Sequence, residues 1–314
     1  SFFGLFVHGR NTVISFTQSP RISFLGILSM TVFVVLTLGG GYVIARKLTS
    51  FIHDTRGLVY ANRGDIPTAL TEITAASRYA SHDVYHAQLV QLALTDAANV
   101  LAAGKDAKEA TSQAEQVLGI ALGHAKIAVE QHPSNMKNWL LLGDVYRAAA
   151  ALGVTDAIPL SKQAYAEAQR RSPQDALVSL RTANLALVAN DSEGALDAVE
   201  QSLAIYPTSD AYLMRAQIKT LQKKWSDTVA ALQQAIALSP NNPLLYVSLG
   251  VAYEKSGDMT RANQIYTLIR QQFADGNEVI EQVRRSASTG ATLQTPVLSQ
   301  APETTAPTDS APSA

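Results

Sequence analysis

Cysteine is absent from this 314-residue chain. That absence excludes disulfides, a thiol nucleophile and thiolate metal sites together. An excess of charge of one sign is missing as well: 25 basic residues stand against 26 acidic ones, a net charge of −1. No global field therefore draws the chain to nucleic acid or another polyanion, and nucleic acid is not an expected partner. Phosphate-cradling and hydrolase motifs are equally lacking. There is no G-x-x-x-x-G-K-[ST], no G-x-S-x-G and no strand-linked G-x-G-x-x-G, and the carboxylates are scattered over helical surfaces. No catalysis within this chain and no cofactor are expected.

What is present begins with one long uncharged run. The 24 residues from Ile22 to Ala45 carry no charge and include Phe24, Leu25, Ile27, Leu28, Val32, Phe33, Val34, Val35, Leu36 and Leu38. As helix they span about 36 Å, enough to cross a bilayer core of about 30 Å with some tilt. A transmembrane helix over residues 22–48 is the expectation, with the lipid bilayer as a partner. A cleaved signal peptide is the rival reading, but its apolar core is shorter and ends in a small-residue box that Gly39-Gly40-Gly41-Tyr42 fits poorly. Arg46-Lys47 reads as a stop-transfer flank. Residues 1–21 start at Ser1 with an apolar stretch to Val7, read either as the end of an earlier span of a longer protein or as a segment lying in the interface. Arg10 and Arg21 precede the span while Arg46, Lys47, Arg56 and Arg63 follow it, a count that favours a cytosolic C-terminal side by a small margin. Thr37-x3-Gly41-x3-Ala45 places three small residues on one face of that helix, as packed membrane helices often do.

The rest of the chain repeats itself. Trp139-x2-Leu142-Gly143-x2-Tyr146 returns as Tyr246-x2-Leu249-Gly250-x2-Tyr253, and Pro133, Pro173, Pro207 and Pro240 follow one another at 40, 34 and 33 residues. A period near 34 signals stacked helix-turn-helix units rather than one closed globule. These residues resemble the tetratricopeptide repeat, whose pattern is W-x2-L-G-x2-Y, then A-x3-F, then P, over roughly residues 52–274. The resemblance implies an all-α fold, a right-handed superhelical array preceded by the transmembrane helix, and a surface that binds protein or peptide segments. The expected setting is the cytoplasmic membrane of a bacterium.

Along the chain, residues 49–81 read as a degenerate first repeat with Gly57-x2-Tyr60, a turn at Gly64-Asp65, and Ala69-x3-Ile73 with Ala76. No Pro or Gly separates Ala45 from Arg56, so its first helix is expected to continue the membrane helix directly. Residues 82–133 hold about 20 residues more than a standard unit and read as an enlarged hairpin turning at Ala102-Ala103-Gly104-Lys105, with Asp106 capping the second helix. Residues 134–275 read as four closer repeats. Asn242 before Pro243 is a cap followed by proline at the first helical position. Gly143 and Gly250, lacking a Cβ, let the partner helix approach closely. Residues 276–287 read as a capping helix, and 288–314, rich in Ser, Thr, Ala and Pro, as a disordered tail.

Two candidate sites follow. His82 and His86 stand four apart on one helical face, the spacing of H-E-x-x-H zinc sites. Asp83 replaces the glutamate and no third ligand is evident, so no metal is expected. The resemblance instead points to a concave groove lined by the first helices of successive repeats. Its expected lining is Leu140, Asp144 and Arg147, then Leu177, Leu180, Asn184 and Leu187, then Leu213 and Gln217, then Val247, Val251 and Glu254, with inter-helix core as the alternative reading for several of the leucines. A related clamp for C-terminal carboxylates uses Lys and Asn on such helices; Leu140, Leu180, Leu213 and Val247 stand at the lysine-equivalent places, which disfavours that function. The order of membrane segment, atypical repeat, long second unit, regular repeats and Pro/Ser/Thr tail is also similar to the ends of some bacterial O-antigen ligase-like proteins. In that reading the chain is the non-catalytic C-terminal portion of a polytopic membrane glycan ligase or polymerase.

Overall fold

The computed structural model describes residues 20–103, 106–273 and 276–281. Every regular element among them is helical. The expected N-terminal segment 1–19, the turn residues Gly104 and Lys105, the end of the capping helix and the Pro/Ser/Thr tail lie outside the described residues. The chain divides after Tyr85 into two compact units.

The first unit is built on α1 (Pro20–Asn62), a single helix of 43 residues, about 65 Å long. It pairs antiparallel with α2 (Ile66–Tyr79). The turn between them uses Gly64 at φ +80°, a left-handed conformation that glycine adopts without a Cβ penalty. Asp65 then accepts from the Thr68 amide to cap α2, and Pro67 lies in its first turn. Several ties hold the pair. Ser50, fully buried, donates its hydroxyl to the Ala76 carbonyl at 2.8 Å, and His53 meets Glu72 at 2.7 Å while stacking on Tyr79. Gly57 leaves room for Ile73, which is completely buried. The helix expected to cross a membrane and the first helix of the degenerate repeat are thus one continuous element, and the part from Ser50 onward is packed against α2.

The second unit continues α3 (Asp83–Ala102) with α4 (Ala107–Gln131), both longer than the helices that follow. Asp106 accepts from the Lys108 and Glu109 amides at the start of α4. Val90 and Ala93 of α3 pack with Ala121 and Ala125 of α4 and with Leu142 and Val145 of the next helix. Four helix pairs follow: α5 (Met136–Ala151) with α6 (Ala157–Arg171), α7 (Ala176–Val188) with α8 (Ser192–Ile205), α9 (Ser209–Leu221) with α10 (Trp225–Leu238), and α11 (Pro243–Ser256) with α12 (Met259–Gln272). Pro133, Pro173, Pro207 and Pro240 each fall in the link after a second helix, where a residue without an amide hydrogen stops the ladder. Inside the later pairs Asn190, Lys223 and Gly257 all have φ between +57° and +87°. They recur at intervals of 33 and 34 residues, so one left-handed turn is used three times although only the last copy is glycine.

The core between helices is made of small residues facing large ones. Ala195, Ala198 and Val199 of α8 meet Ala183 and Ala186 of α7 and Ile218 of α9. Residues 276–281 are helical, and Ile280 buries its side chain in the last cluster with Tyr253, Tyr266 and Ile269. Serine hydroxyls stitch neighbouring helices: Ser202 to the Ala176 carbonyl and Ser161 to the Gly143 carbonyl, both at 2.8 Å, and Ser209 to the Ala235 carbonyl at 3.0 Å. A buried hydroxyl without such a partner costs about 1–3 kcal/mol, so these serines hold register as well as space.

Candidate partner-binding face

The expected groove lining divides sharply by burial. Val247 is fully buried, and Leu140 and Leu213 retain only 4% and 7% of their surface. Leu140 packs with Tyr165, Ala168, Val178 and Leu185; Leu213 and Val247 belong to the cluster around Leu232, Leu245 and Tyr266. These three side chains are inter-helix core rather than lining, the alternative that the sequence left open for the leucines, and they offer nothing to a partner. Their helices are packed on two sides, by their own second helix and by the neighbouring pair, so an apolar residue at that place is consumed by the stack. Arg147, Leu177, Leu180, Asn184, Leu187, Gln217, Val251 and Glu254 remain half-buried, each with surface to offer.

Asp144, the remaining expected residue, is buried as well, and it organises a charged centre that the spacing alone did not reveal. The Tyr165 hydroxyl of α6 donates to Asp144 Oδ1 at 2.7 Å. Arg147 Nε of α5 lies 3.6 Å from the same oxygen, and Arg181 Nε of α7 lies 3.3 Å from Oδ2. Arg147 Nε is beyond hydrogen-bond distance and Arg181 Nε–H is not aligned on its oxygen, so these contacts are ionic. Burial, reinforced by the neighbouring Asp144 charge, pushes the Tyr165 phenol far above its ordinary range, which keeps it a proton donor. Burial by itself works against the Arg147 charge, but Asp144 and Tyr165 outweigh it and raise the pKa. Two guanidiniums thus share one carboxylate.

The position arises from matching stripes. Leu140, Asp144 and Arg147 follow one another at i, i+4 and i+7 on α5, and Leu177, Arg181 and Asn184 do the same on α7. Arg181 was not among the expected groove residues; its i+4 relation to Leu177 is the signal that could have placed it there. Arg171 is a second residue missed. Its guanidinium lies over the Trp139 ring at 4.5 Å and donates to the Pro133 carbonyl, which also accepts from Trp139 Nε1 at 2.8 Å. The signature tryptophan is therefore a half-buried clamp between α5 and the preceding link.

The histidine pair resolves differently. His82 Nδ1 lies 3.0 Å from Asp83 Oδ1, whereas His86 Nδ1 lies 3.0 Å from Nδ1 of His124 on α4, with the two rings stacked at 5.2 Å. Among the described residues no three His, Asp or Glu side chains gather as a metal would need. The His86–His124 contact needs one protonated and one bare Nδ1, so it fails when both rings are in the doubly protonated, cationic form. Burial lowers the His124 pKa below its ordinary 6.5. A histidine whose folded pKa is depressed stabilises the fold fully above the unfolded value, and that stability is lost as pH falls below about 6.5. The thermal midpoint should fall between pH 7.5 and 5.5, and His124→Gln should flatten that fall.

Comparison with known proteins places this architecture. Residues 216–257 match a TPR repeat model and residues 155–210 a tetratricopeptide repeat model. Neither is an enzyme family. Among curated proteins none matches the chain in sequence. Among solved structures the chain is similar to TTC0263, a thermophilic TPR protein of Thermus thermophilus, at 16% identity and a TM-score of 0.52, covering 65% of this chain and 99% of that one. It is similar to PilW, described as a widely conserved type IV pilus biogenesis factor, at 13% identity and 0.52, covering 75% and 98%. PilF of Pseudomonas aeruginosa is similar at 14% identity and 0.50, covering 77% and 99%. Residues 155–210 and 216–257 are tetratricopeptide repeats, and every regular element among the described residues is helical, with the fold of such arrays.

Proposed function

We propose that the chain is a membrane-anchored scaffold that binds protein segments along the exposed side of its first helices, as part of a bacterial cell-envelope assembly. The observation that carries this reading is the mixed character of that side. Half-buried Leu177, Leu180, Leu187 and Val251 alternate with Asn184, Gln217, Glu254 and Arg147. Apolar side chains supply affinity for an extended or helical segment, while amides and charges fix its register. The exposed apolar stretch of α1 supports an anchor in the cytoplasmic membrane, and the basic residues after it support repeats on the cytosolic side. An envelope setting is supported by the likeness of fold to PilW, a type IV pilus biogenesis factor.

The test is site-specific crosslinking in membranes. A photo-reactive phenylalanine analogue in place of Leu180 should capture a defined partner segment, whereas the same analogue in place of exposed Gln234 on α10 should not. Combining Asn184→Ala, Gln217→Ala and Val251→Glu should abolish the Leu180 crosslink while helix content by circular dichroism stays unchanged. Equal crosslinking at both positions, or none at either, would overturn the reading.

A further inference from the structure

We infer that the Asp144 centre is an acceptor site for one acidic side chain, an aspartate or glutamate within the bound segment. The inference rests on the binding reading just given and names the chemistry that the α5–α7 part of that face selects. Its basis is a charge balance that does not close. Arg147 and Arg181 flank Asp144 alone, and Tyr165 is held neutral, so the centre carries one positive charge in surplus.

Among the described residues, the other ion pairs of the second unit do not leave a desolvated surplus. Glu200 takes Arg215, and Asp227 takes Lys219. Glu167 has two arginines, but the Arg170 side chain is 69% exposed and hydrated, and Arg171 spends its donors on Glu167, the Pro133 carbonyl and the Trp139 face. Arg147 and Arg181, by contrast, have side chains only 21% and 27% exposed, with the Nε edges turned into the protein toward Asp144. A guanidinium whose Nε edge is engaged still offers its Nη donors, in a planar fork that suits a carboxylate. Partial burial makes such a contact stronger than one on open surface, because the surrounding dielectric is lower. Leu177 and Leu180, half-buried beside Arg181, give the flanks of the site an apolar character. The occupant is therefore an acidic residue between apolar ones, held by Arg147 from one helix and Arg181 from the next.

The geometry makes opposite predictions for neighbouring substitutions, which a purely structural role for the cluster does not. Arg147→Gln or Arg181→Gln alone removes the surplus yet leaves Asp144 with one arginine and the Tyr165 hydrogen bond, so the fold is kept. Asp144→Asn keeps an acceptor for Tyr165 and doubles the surplus. The probes are fluorescent peptides, blocked at both ends, with one glutamate or one glutamine between two leucines, and anisotropy is read with the full chain in detergent. The glutamate peptide should bind at least about tenfold tighter than the glutamine peptide, as a desolvated charge-assisted contact implies. Either arginine variant should erase that preference, Asp144→Asn should widen it, and Lys223→Gln on the exposed turn should leave it unchanged.

Equal binding of the two peptides, failure of both to bind, or a preference that survives both arginine variants would each overturn the inference. So would a glutamine peptide with a free C-terminus that binds as tightly as the blocked glutamate peptide, because the site would then be reading a chain end. Crosslinking at position 180 reports separately on whether the face holds a segment at all. A crosslink without an acidic preference sinks this inference alone; its absence sinks the reading beneath it.

Discussion

Gly143→Leu is expected to lower the stability of the second unit more than the same change at Gly250. A Cβ at position 143 would overlap the Tyr165 ring, and a leucine cannot be accommodated without driving that ring out of the α5–α6 crossing. Overpacking of this kind costs about 1–3 kcal/mol. Displacing Tyr165 also takes away the hydroxyl that donates to buried Asp144, a bond to a charged group worth about 1.5–3 kcal/mol. Together the loss should be on the order of 3–5 kcal/mol, read as a shift of the urea or thermal midpoint. Gly250→Leu meets the Tyr266 ring, with the new Cβ 2.6 Å from its nearest atom, and should cost the overpacking part, about 1–3 kcal/mol. Gly123 is the control. Nothing lies within 4 Å of a Cβ there, so Gly123→Ala should stabilise α4 by about 0.5–1 kcal/mol through helix propensity alone. Equal effects at positions 143 and 123 would show that the close crossing does not exist.

The contrast between these glycines shows which parts of the fold are legible in the sequence. Gly143 and Gly250 recur in one pattern with an aromatic residue upstream and a tyrosine downstream, so the pattern itself announces their role in a close helix crossing. Their contact partners, Tyr165 and Tyr266, are not announced, because the pattern fixes the spacing on a helix and not which atom of the second helix arrives. Caps were legible for a local reason: Asp106 and Asn242 act through amides two or three residues away. The left-handed turns at Asn190 and Lys223 were not. An L-residue at positive φ carries no compositional flag, and only the 33- and 34-residue intervals to Gly257 reveal it once the angles are known.

Of the expected lining, eight residues keep surface and four are buried. Helical periodicity picks out a stripe, i, i+4, i+7, but it does not distinguish a stripe that faces a groove from one that faces a second layer of helix. Leu140, Leu213 and Val247 therefore read as lining although they are core. Charged residues were placed no better by period alone. Asp144 and Arg147 were recognised as neighbours on α5, yet the third member, Arg181, comes from the next pair, 37 residues beyond Asp144. The expectation that His82 and His86 form no metal site turned on a missing third ligand; that His86 would meet His124 depended on the α3–α4 packing register, which no local signal encodes.

Release from the membrane is the other large effect expected. Between Phe24 and Ile44 fourteen large apolar side chains of α1 are exposed, with Phe33, Leu36 and Leu38 each at 69%. Removing one such side chain fully from water is worth about 1.5–3 kcal/mol, so the stretch as a whole favours lipid by tens of kcal/mol even after generous discounting. The described residues contain one helix long and apolar enough to cross a bilayer, and none of its apolar window is buried by the protein itself. Its continuity with the first repeat argues for retention rather than cleavage. Ser50, His53 and Gly57 of the same helix are committed to α2, so no flexible boundary follows the apolar stretch. Carbonate extraction at high pH should leave the full chain in the membrane pellet. A chain lacking residues 1–45 should move to the soluble fraction with its helix content per residue preserved, since it keeps Arg46, which donates to the Arg78 carbonyl of α2, and the buried part of α1 that begins at Ser50. Sequencing the N-terminus of the pelleted protein completes the test: a new terminus near Gly41 would mean that the apolar stretch is removed as a signal, and recovery of the intact chain in the supernatant would exclude a spanning helix altogether.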